Sequence, residues 1–99
     1  MNVNLTDIAQ EELVKVVDTR KDTNKELRIY IQGMGWGGPS FGIALDEQKE
    51  GDQVVEIDNL KFLLDEDIVN NFDEFNIDYS NSWLRKGFYV TADSGGSHC

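Results

Sequence analysis

This sequence is short of the residues that build disulfide frameworks, metal clusters and nucleic-acid interfaces. It contains one cysteine, one histidine and one proline, and its nine lysines and arginines face nineteen aspartates and glutamates. A single cysteine, Cys99, cannot form an internal disulfide, so nothing favours an oxidising compartment. The formal net charge of -10 is the opposite of what binding to nucleic acid or anionic membranes requires. We therefore expect neither partner.

Long hydrophobic runs are also missing. No apolar stretch approaches the length that spans a bilayer, and the N-terminus carries no basic, apolar and small-residue signal, so we expect a cytoplasmic protein. The 99 residues, 39% of them hydrophobic, suffice for one domain with a modest core. We expect this domain to span residues 1–93 and residues 94–99 to form a flexible C-terminal tail.

The apolar spacing predicts a helix followed by strands. Residues 6–20 have the period of an amphipathic helix, with Thr6 or Asp7 as the N-terminal cap. Apolar and polar residues then alternate around Leu27 to Ile31, which predicts a half-buried strand. A second strand runs from Phe41 to Leu45, and the polar segment 46–51 turns it back into a third one at Val54 to Ile57.

The second half of the chain repeats this order. Asp65 or Asp67 can cap a short helix that carries Ile68 and Phe72, and two short strands follow at residues 77–79 and 88–91. Adjacent strands with few helical crossovers between them predict an α+β fold, a small β-rich domain of mixed or antiparallel strands with an N-terminal helix and a second short helix.

Residues 33–42 (GMGWGGPSFG) combine five glycines, a proline and a tryptophan. The spacing of Gly33, Gly35 and Gly38 matches the dinucleotide pattern G-x-G-x-x-G, but a strand pattern follows where the phosphate-binding helix would have to begin. The glycines are explained by a tight connection between strands that needs positive φ and that lets Trp36 fold over an apolar surface. The length of this connection stays unexplained by that interpretation.

Other clusters have simpler explanations than a site. The acidic run 65–67 coincides with a helix start, where capping and the helix dipole favour acids without a metal. No nucleophile and base can be paired around Asp78, because the single histidine lies at the far end of the chain. Phe41, Trp83 and Phe88 are expected as core or interface aromatics, and Tyr30, Trp36 and Phe41 could form an exposed patch for a partner.

Taken in order, several short segments resemble the HesB/IscA-like family, the A-type proteins associated with iron-sulfur cluster assembly. In that family a helix precedes a Leu-Arg strand, a Gly-Cys-Ser-Gly loop, further strands and a C-terminal Cys-Gly-Cys. The resemblance covers nearly the whole chain. The matching segments are Leu27-Arg28, Gly35-Trp36-Gly37-Gly38, Asp46-Glu47, Phe72-Asp73, Ile77-Asp78-Tyr79 and Gly87-Phe88.

The differences from the family fall on its metal ligands. Trp36 stands where the family has its loop cysteine, and indole offers no lone pair to a metal, so Trp36 is expected to close the site or pack. In the tail, Ser97 stands where the paired cysteine would be if Cys99 is the second one. One thiolate therefore remains of three.

The resemblance implies a homodimer that binds iron or an iron-sulfur cluster, is no enzyme and serves assembly or recipient proteins. Cys99 and His98 would be the surviving ligands of metal or cofactor. A [2Fe-2S] cluster needs four ligands, which two tails could supply if two chains meet there; a carboxylate such as Asp93 could instead help to hold mononuclear iron. The alternative is a divergent member that binds no cofactor and acts as a protein-protein interaction domain through Trp36.

Overall fold

The computed structural model describes residues 1–84 and 86–93, which form seven strands and two helices. Asn2–Leu5 (β1) leads into the helix Asp7–Asp18 (α1). The remaining elements are Lys25–Gly35 (β2), Gly38–Glu47 (β3), Gln53–Ile57 (β4), Leu60–Leu64 (β5), Glu66–Asn71 (α2), Glu74–Asn81 (β6) and Lys86–Asp93 (β7).

The strands form two mixed sheets. The first has the order β1-β6-β7, in which β1 is parallel to β6 and β7 is antiparallel to it. The second has the order β3-β2-β5-β4, in which only the β2–β5 pair is parallel. The predicted α+β class with mixed pairing is confirmed.

Apolar side chains from both sheets and both helices meet in one core. Leu13 of α1, Phe62 of β5 and Phe75 of β6 are completely buried. The ring of Phe41 on β3 packs edge-on against Phe75 and Phe72, with centroids 5.0 and 5.2 Å apart, respectively. Such edge-to-face contacts are favourable beyond the area they bury, and here they join the two sheets.

Both helices begin at caps that the sequence offered. The Thr6 hydroxyl accepts a hydrogen bond from the Ala9 backbone N–H at 3.2 Å. The Asp65 carboxylate accepts one from the Ile68 N–H at 2.9 Å. Each bond satisfies a first-turn donor that the helix itself leaves unpaired. Asp65 thus serves as a cap, in agreement with the expectation for the acidic run 65–67.

Two expectations about strands are wrong. A strand, β1, precedes the first helix. It was missed because a strand of four residues contains only two repeats of the apolar–polar alternation. The third strand, β4, does not return along β3; it forms a hairpin with β5, closed by Asp58 at φ 53°. β5 then pairs in parallel with β2, a long-range pairing that chain order does not specify.

The helices within residues 1–84 and 86–93 are too short or too polar to cross a membrane.

Candidate functional site

The glycine-rich stretch continues two strands instead of forming a long loop. β2 and β3 pair up to Gly35 and Gly38, with one shift of register between Ile31 and Gly33, which leaves Trp36 and Gly37 as a two-residue turn. Gly38 has a φ of 105°, a conformation that side chains with a Cβ rarely adopt. The tight connection with positive φ that the glycines indicated is therefore present, but it is confined to two residues, because the strands extend further into the glycine-rich stretch than expected. We call residues 30–40, the distal part of this hairpin, the hairpin arm.

Trp36 at the turn is fully exposed. The expectation that its indole packs on an apolar surface is wrong, because the ring extends from the end of the hairpin. Trp83, predicted in the core or an interface, is likewise 90% exposed, in the connection between β6 and β7. The chain therefore carries two exposed tryptophans, one in the turn between β2 and β3 and one in the connection between β6 and β7.

One face of the hairpin arm continues the apolar face of the core. Ile31 pairs with the buried Phe41, and a bulge at Gln32 shifts the register so that Met34 pairs with Pro39. Directly paired residues point to the same side of a sheet, and so do residues two apart on one strand, so Ile31, Met34 and Pro39 share the side of Phe41. Ile31 is 45% and Met34 76% exposed. This apolar face thus extends beyond the part that the molecule covers.

On the opposite face of the arm, the ring of Tyr30 lies over Gly42 of the neighbouring strand. Tyr30 pairs with Gly42, and a Cβ at Gly42 would lie 2.7 Å from the phenol ring. Glycine therefore lets this ring lie flat on the strand. The exposed patch expected from Tyr30, Trp36 and Phe41 is wrong in part, because Phe41 is buried on the other face. Phe88, also expected as a packed aromatic, is half-buried against Tyr79, with ring centroids 4.8 Å apart.

The C-terminal end of β7 lies on the side of the hairpin arm. Phe41, near the start of β3, contacts Phe75, and Phe75 is in register with Ala92 on β7. Asp93 is the last described residue and pairs with Glu74. The described end of β7 consequently lies on the same side as β3, the strand that carries Phe41.

The ligands expected from the resemblance, His98 and Cys99, lie outside the described residues. Within residues 1–84 and 86–93, no group of three or more histidine, cysteine or acidic side chains could hold a metal ion. Asp78 is engaged in the sheet, where its carboxylate accepts a hydrogen bond from the Thr6 hydroxyl at 2.9 Å. Gly35, Trp36, Gly37 and Gly38, which were expected to replace the family's ligand loop, form the tip of the arm.

Sequence reasoning missed the charged cluster at the opposite end of the hairpin. The Arg28 guanidinium donates to the carboxylates of Asp46, at 2.6 Å, and Asp52, at 2.5 Å. The Arg28 side chain is 11% exposed and that of Asp52 only 3%. The Leu-Arg and Asp-Glu segments matched above contain two of these three residues, but Asp52 is brought in by the loop before β4.

These contacts change the proton affinities of all three groups. The hydrogen bond with Asp52 is the largest cause of a raised pKa at Arg28. The pKa of Asp52 is lowered chiefly by Arg28 and further by the Lys49 backbone N–H. The pKa of Asp46 is lowered first by the Glu47 N–H and then by Arg28. The cluster therefore holds its charges firmly and fixes the base of the hairpin.

Comparison with known sequences reveals similarity over almost the whole chain. No protein-family model matches. The chain is 29% identical over 98 residues to the iron-sulfur cluster insertion protein ErpA of Alcanivorax borkumensis, an alignment that covers 98% of this chain and 82% of that protein.

Solved structures share the fold. The crystal structure of Escherichia coli SufA, described as involved in biosynthesis of iron-sulfur clusters, superimposes with a TM-score of 0.75 at 17% identity and covers 99% of this chain and 86% of that one. The crystal structure of IscA with the [2Fe-2S] cluster gives 0.68 at 21% identity, over 91% and 81% of the two chains. At these identities the likeness concerns the fold, which agrees with the sequence resemblance.

Proposed function

Because the chain belongs to the HesB/IscA-like family of A-type iron-sulfur proteins, we propose that it is a cytoplasmic carrier, not an enzyme, that binds iron or an iron-sulfur cluster and passes it to recipient proteins. The observation that carries this proposal is the similarity to an iron-sulfur cluster insertion protein along 98 residues. The cluster is the cargo of such a protein, so the chain has to bind it reversibly.

In this proposal the apolar face of the arm forms the walls of a cargo site, and the tail contributes the ligands. We assign Cys99 and His98 as the ligands, on the tail 94–99 that follows a domain of residues 1–93. Six extended residues reach about 20 Å, and the five strand residues from Phe41 to Trp36 span about 17 Å. The tail is therefore long enough to bring a thiolate to any point of the apolar face of the arm.

Two chains are needed to complete the ligand set. A [2Fe-2S] cluster takes four protein ligands, and histidine can replace cysteine on one iron. A homodimer supplies two thiolates from Cys99 and two imidazoles from His98. Cysteine binds metal as the deprotonated thiolate. Ligands near a chain end can be exchanged one by one for those of a recipient protein, which suits transfer of the cluster.

The test is the iron and acid-labile sulfide content, with the visible spectrum, of the full chain reconstituted without oxygen. We expect stoichiometric iron and sulfide in the wild type, loss of both in Cys99→Ser and weaker retention in His98→Ala. Ser97→Ala, a change in the same tail that removes no proposed ligand, should retain the wild-type content. A colourless wild-type protein after reconstitution, or equal loading in Cys99→Ser, would contradict the carrier proposal.

A second candidate function is favoured by the exposure of Trp36. An exposed tryptophan at the end of a hairpin is typical of residues that anchor protein contacts. In this alternative the protein binds no cluster and recognises a recipient or assembly protein through the arm. Binding of the metal-free chain to an iron-sulfur apoprotein should then weaken in Trp36→Ala and stay unchanged in Trp83→Ala, which removes the equally exposed indole beside the other turn.

A further inference from the structure

The chain contains two methionines, and the structure places them in different surroundings. Met1 packs against the core and is partly buried, whereas Met34 on the hairpin arm is 76% exposed. The oxidation of a thioether depends on exposure, because the oxidant has to reach a lone pair of the sulfur. The two side chains therefore differ in their access to a dissolved oxidant, although their chemistry is the same.

The neighbours of Met34 leave its side chain open to solvent. Met34 lies between Gly33 and Gly35 on β2 and pairs with Pro39 on β3. A Cβ added at Gly35 or at Gly38 would meet no atom of the described residues within 4 Å. The tip of the arm is thus sparsely covered, and a small oxidant can approach the Met34 sulfur directly from solvent.

Met34 also belongs to a surface that has no charge of its own. From Ile29 to Leu45 the chain contains no charged residue, although 28% of all its residues are charged. Methionine is common on binding surfaces, because its flexible and polarisable side chain adapts to different partners. A polar group introduced at Met34 would therefore change the character of this face more than it would on a surface already rich in charge.

We propose that Met34 is a site of reversible oxidation, at which hydrogen peroxide converts the thioether to a sulfoxide and makes the apolar face of the arm polar. A lone pair of the sulfur attacks one peroxide oxygen, the O–O bond breaks and an S–O bond forms. The sulfur is thereby oxidised by two electrons, and the second peroxide oxygen leaves as water. Two thiols of a methionine sulfoxide reductase reverse the change, since the sulfoxide oxygen leaves as water and the thiols become a disulfide.

The consequence for the arm rests on the proposed carrier function, in which this face forms the walls of the cargo site. A sulfoxide keeps its hydrogen bonds to water as long as the face is exposed, so oxidation should not weaken the free domain. When the cargo covers the face, the sulfoxide loses that water, which costs free energy unless a new hydrogen-bond partner replaces it. Oxidation is therefore expected to act on binding and not on folding.

The first experiment measures the oxidation rate of each methionine by peptide mass spectrometry over a time series in hydrogen peroxide. The full-length, metal-free chain carries Cys99→Ser, so that no thiol consumes the oxidant. In the folded chain, Met34 should react within about twofold of its rate in the urea-unfolded chain, and Met1 at least about fivefold more slowly than in the unfolded chain. The urea midpoint and the circular dichroism of the oxidised protein should be unchanged.

The second experiment tests the effect on the cargo. Met34→Gln places an amide of about the size and polarity of the sulfoxide on the arm and leaves Cys99 intact. After reconstitution without oxygen, the variant should lose its iron to a chelator about tenfold faster than the wild type does. Leu84→Gln makes the same change at a residue that is 70% exposed in the connection between β6 and β7, and its rate of iron loss should equal that of the wild type.

Protection of Met34 in the folded chain as strong as that of Met1 overturns the inference, as does a sulfoxide that unfolds the domain. A Met34→Gln protein that holds its iron as firmly as the wild type, or a Leu84→Gln protein that loses it equally fast, overturns the effect on the cargo and leaves the carrier proposal standing. A wild type that takes up no iron would do the reverse: it would refute the carrier proposal, while the oxidation rates would still decide whether Met34 is the modified residue.

Discussion

The two halves of β2 share one backbone ladder and have opposite surroundings. In the proximal half, Leu27 and Ile29 are buried and Arg28 is paired with two carboxylates. In the distal half, Ile31 and Met34 are exposed and no charged side chain is present. Hydrogen bonds to β3 run along both halves. The comparison shows that the ladder sets the path of the strand, whereas burial decides which half stabilises the domain and which half remains available for binding.

The largest effect should come from truncating the proximal half. Leu27→Ala removes a side chain with no exposure and should lower the free energy of unfolding by about 3 kcal/mol. Met34→Ala, on the same strand at 76% exposure, should change it by less than about 0.5 kcal/mol. Urea unfolding at concentrations where the protein is monomeric checks both values. Equal losses would mean that the arm packs on the core as closely as the proximal half of β2 does.

A smaller loss should follow from breaking the charged cluster. Arg28→Met leaves the carboxylate of Asp52, 3% exposed, without its partner and should cost about 2–3 kcal/mol, below the range for fully buried pairs because Asp46 remains a third exposed. Lys61→Met is the matched control: its ammonium lies 3.9 Å from Glu56 and both side chains are about half exposed. Exposed pairs contribute about 0–1 kcal/mol. If Lys61→Met lost as much stability as Arg28→Met, the stabilisation could not be attributed to the partly buried Arg28 cluster.

The smallest effect should appear as a dependence of stability on pH. The pKa values of Asp46 and Asp52 are lowered in the folded protein, so their stabilisation is complete above the unfolded value of about 3.9 and is lost as pH falls below it. Unfolding by urea between neutral pH and pH about 3 should reveal a decline confined to the acidic end. In Arg28→Met this decline should be shallower, since Arg28 is the chief cause of the shift at Asp52. An identical slope in the variant would assign the acid sensitivity to other carboxylates.

The fold class could be predicted from the sequence because the elements of the core have strong local patterns. The helix expected at residues 6–20 is observed at Asp7–Asp18, and the caps Thr6 and Asp65 have the predicted chemistry. The parallel pairing of β5 with β2 could not be predicted, because alternation identifies a strand without identifying its neighbour in a distant part of the chain.

The candidate site was predicted less well than the fold. Glycines at residues 33–38 suggested a loop, since glycine disfavours strands, but pairing with β3 along the whole segment outweighs that preference. Trp36 was expected to be packed because large aromatic side chains usually are; at the tip of a two-residue turn it is fully exposed among the described residues. The uncharged run from Ile29 to Leu45 was visible in the sequence. It was the one signal from which this hairpin could have been predicted as a surface unlike the charged rest of the chain.

The sequence by itself determined the fold class, the helix caps, the likeness to A-type proteins and the absence of the loop cysteine, because each of these depends on residue type and local spacing. Only the tertiary structure decided that the arm extends beyond the core, with an outer edge of β2 that no strand of the described residues covers. That outcome depends on where β5 ends beside β2, and on the aromatic contacts that bring β7 to the side of the arm. Both are long-range contacts, which tertiary packing selects and local pattern does not encode.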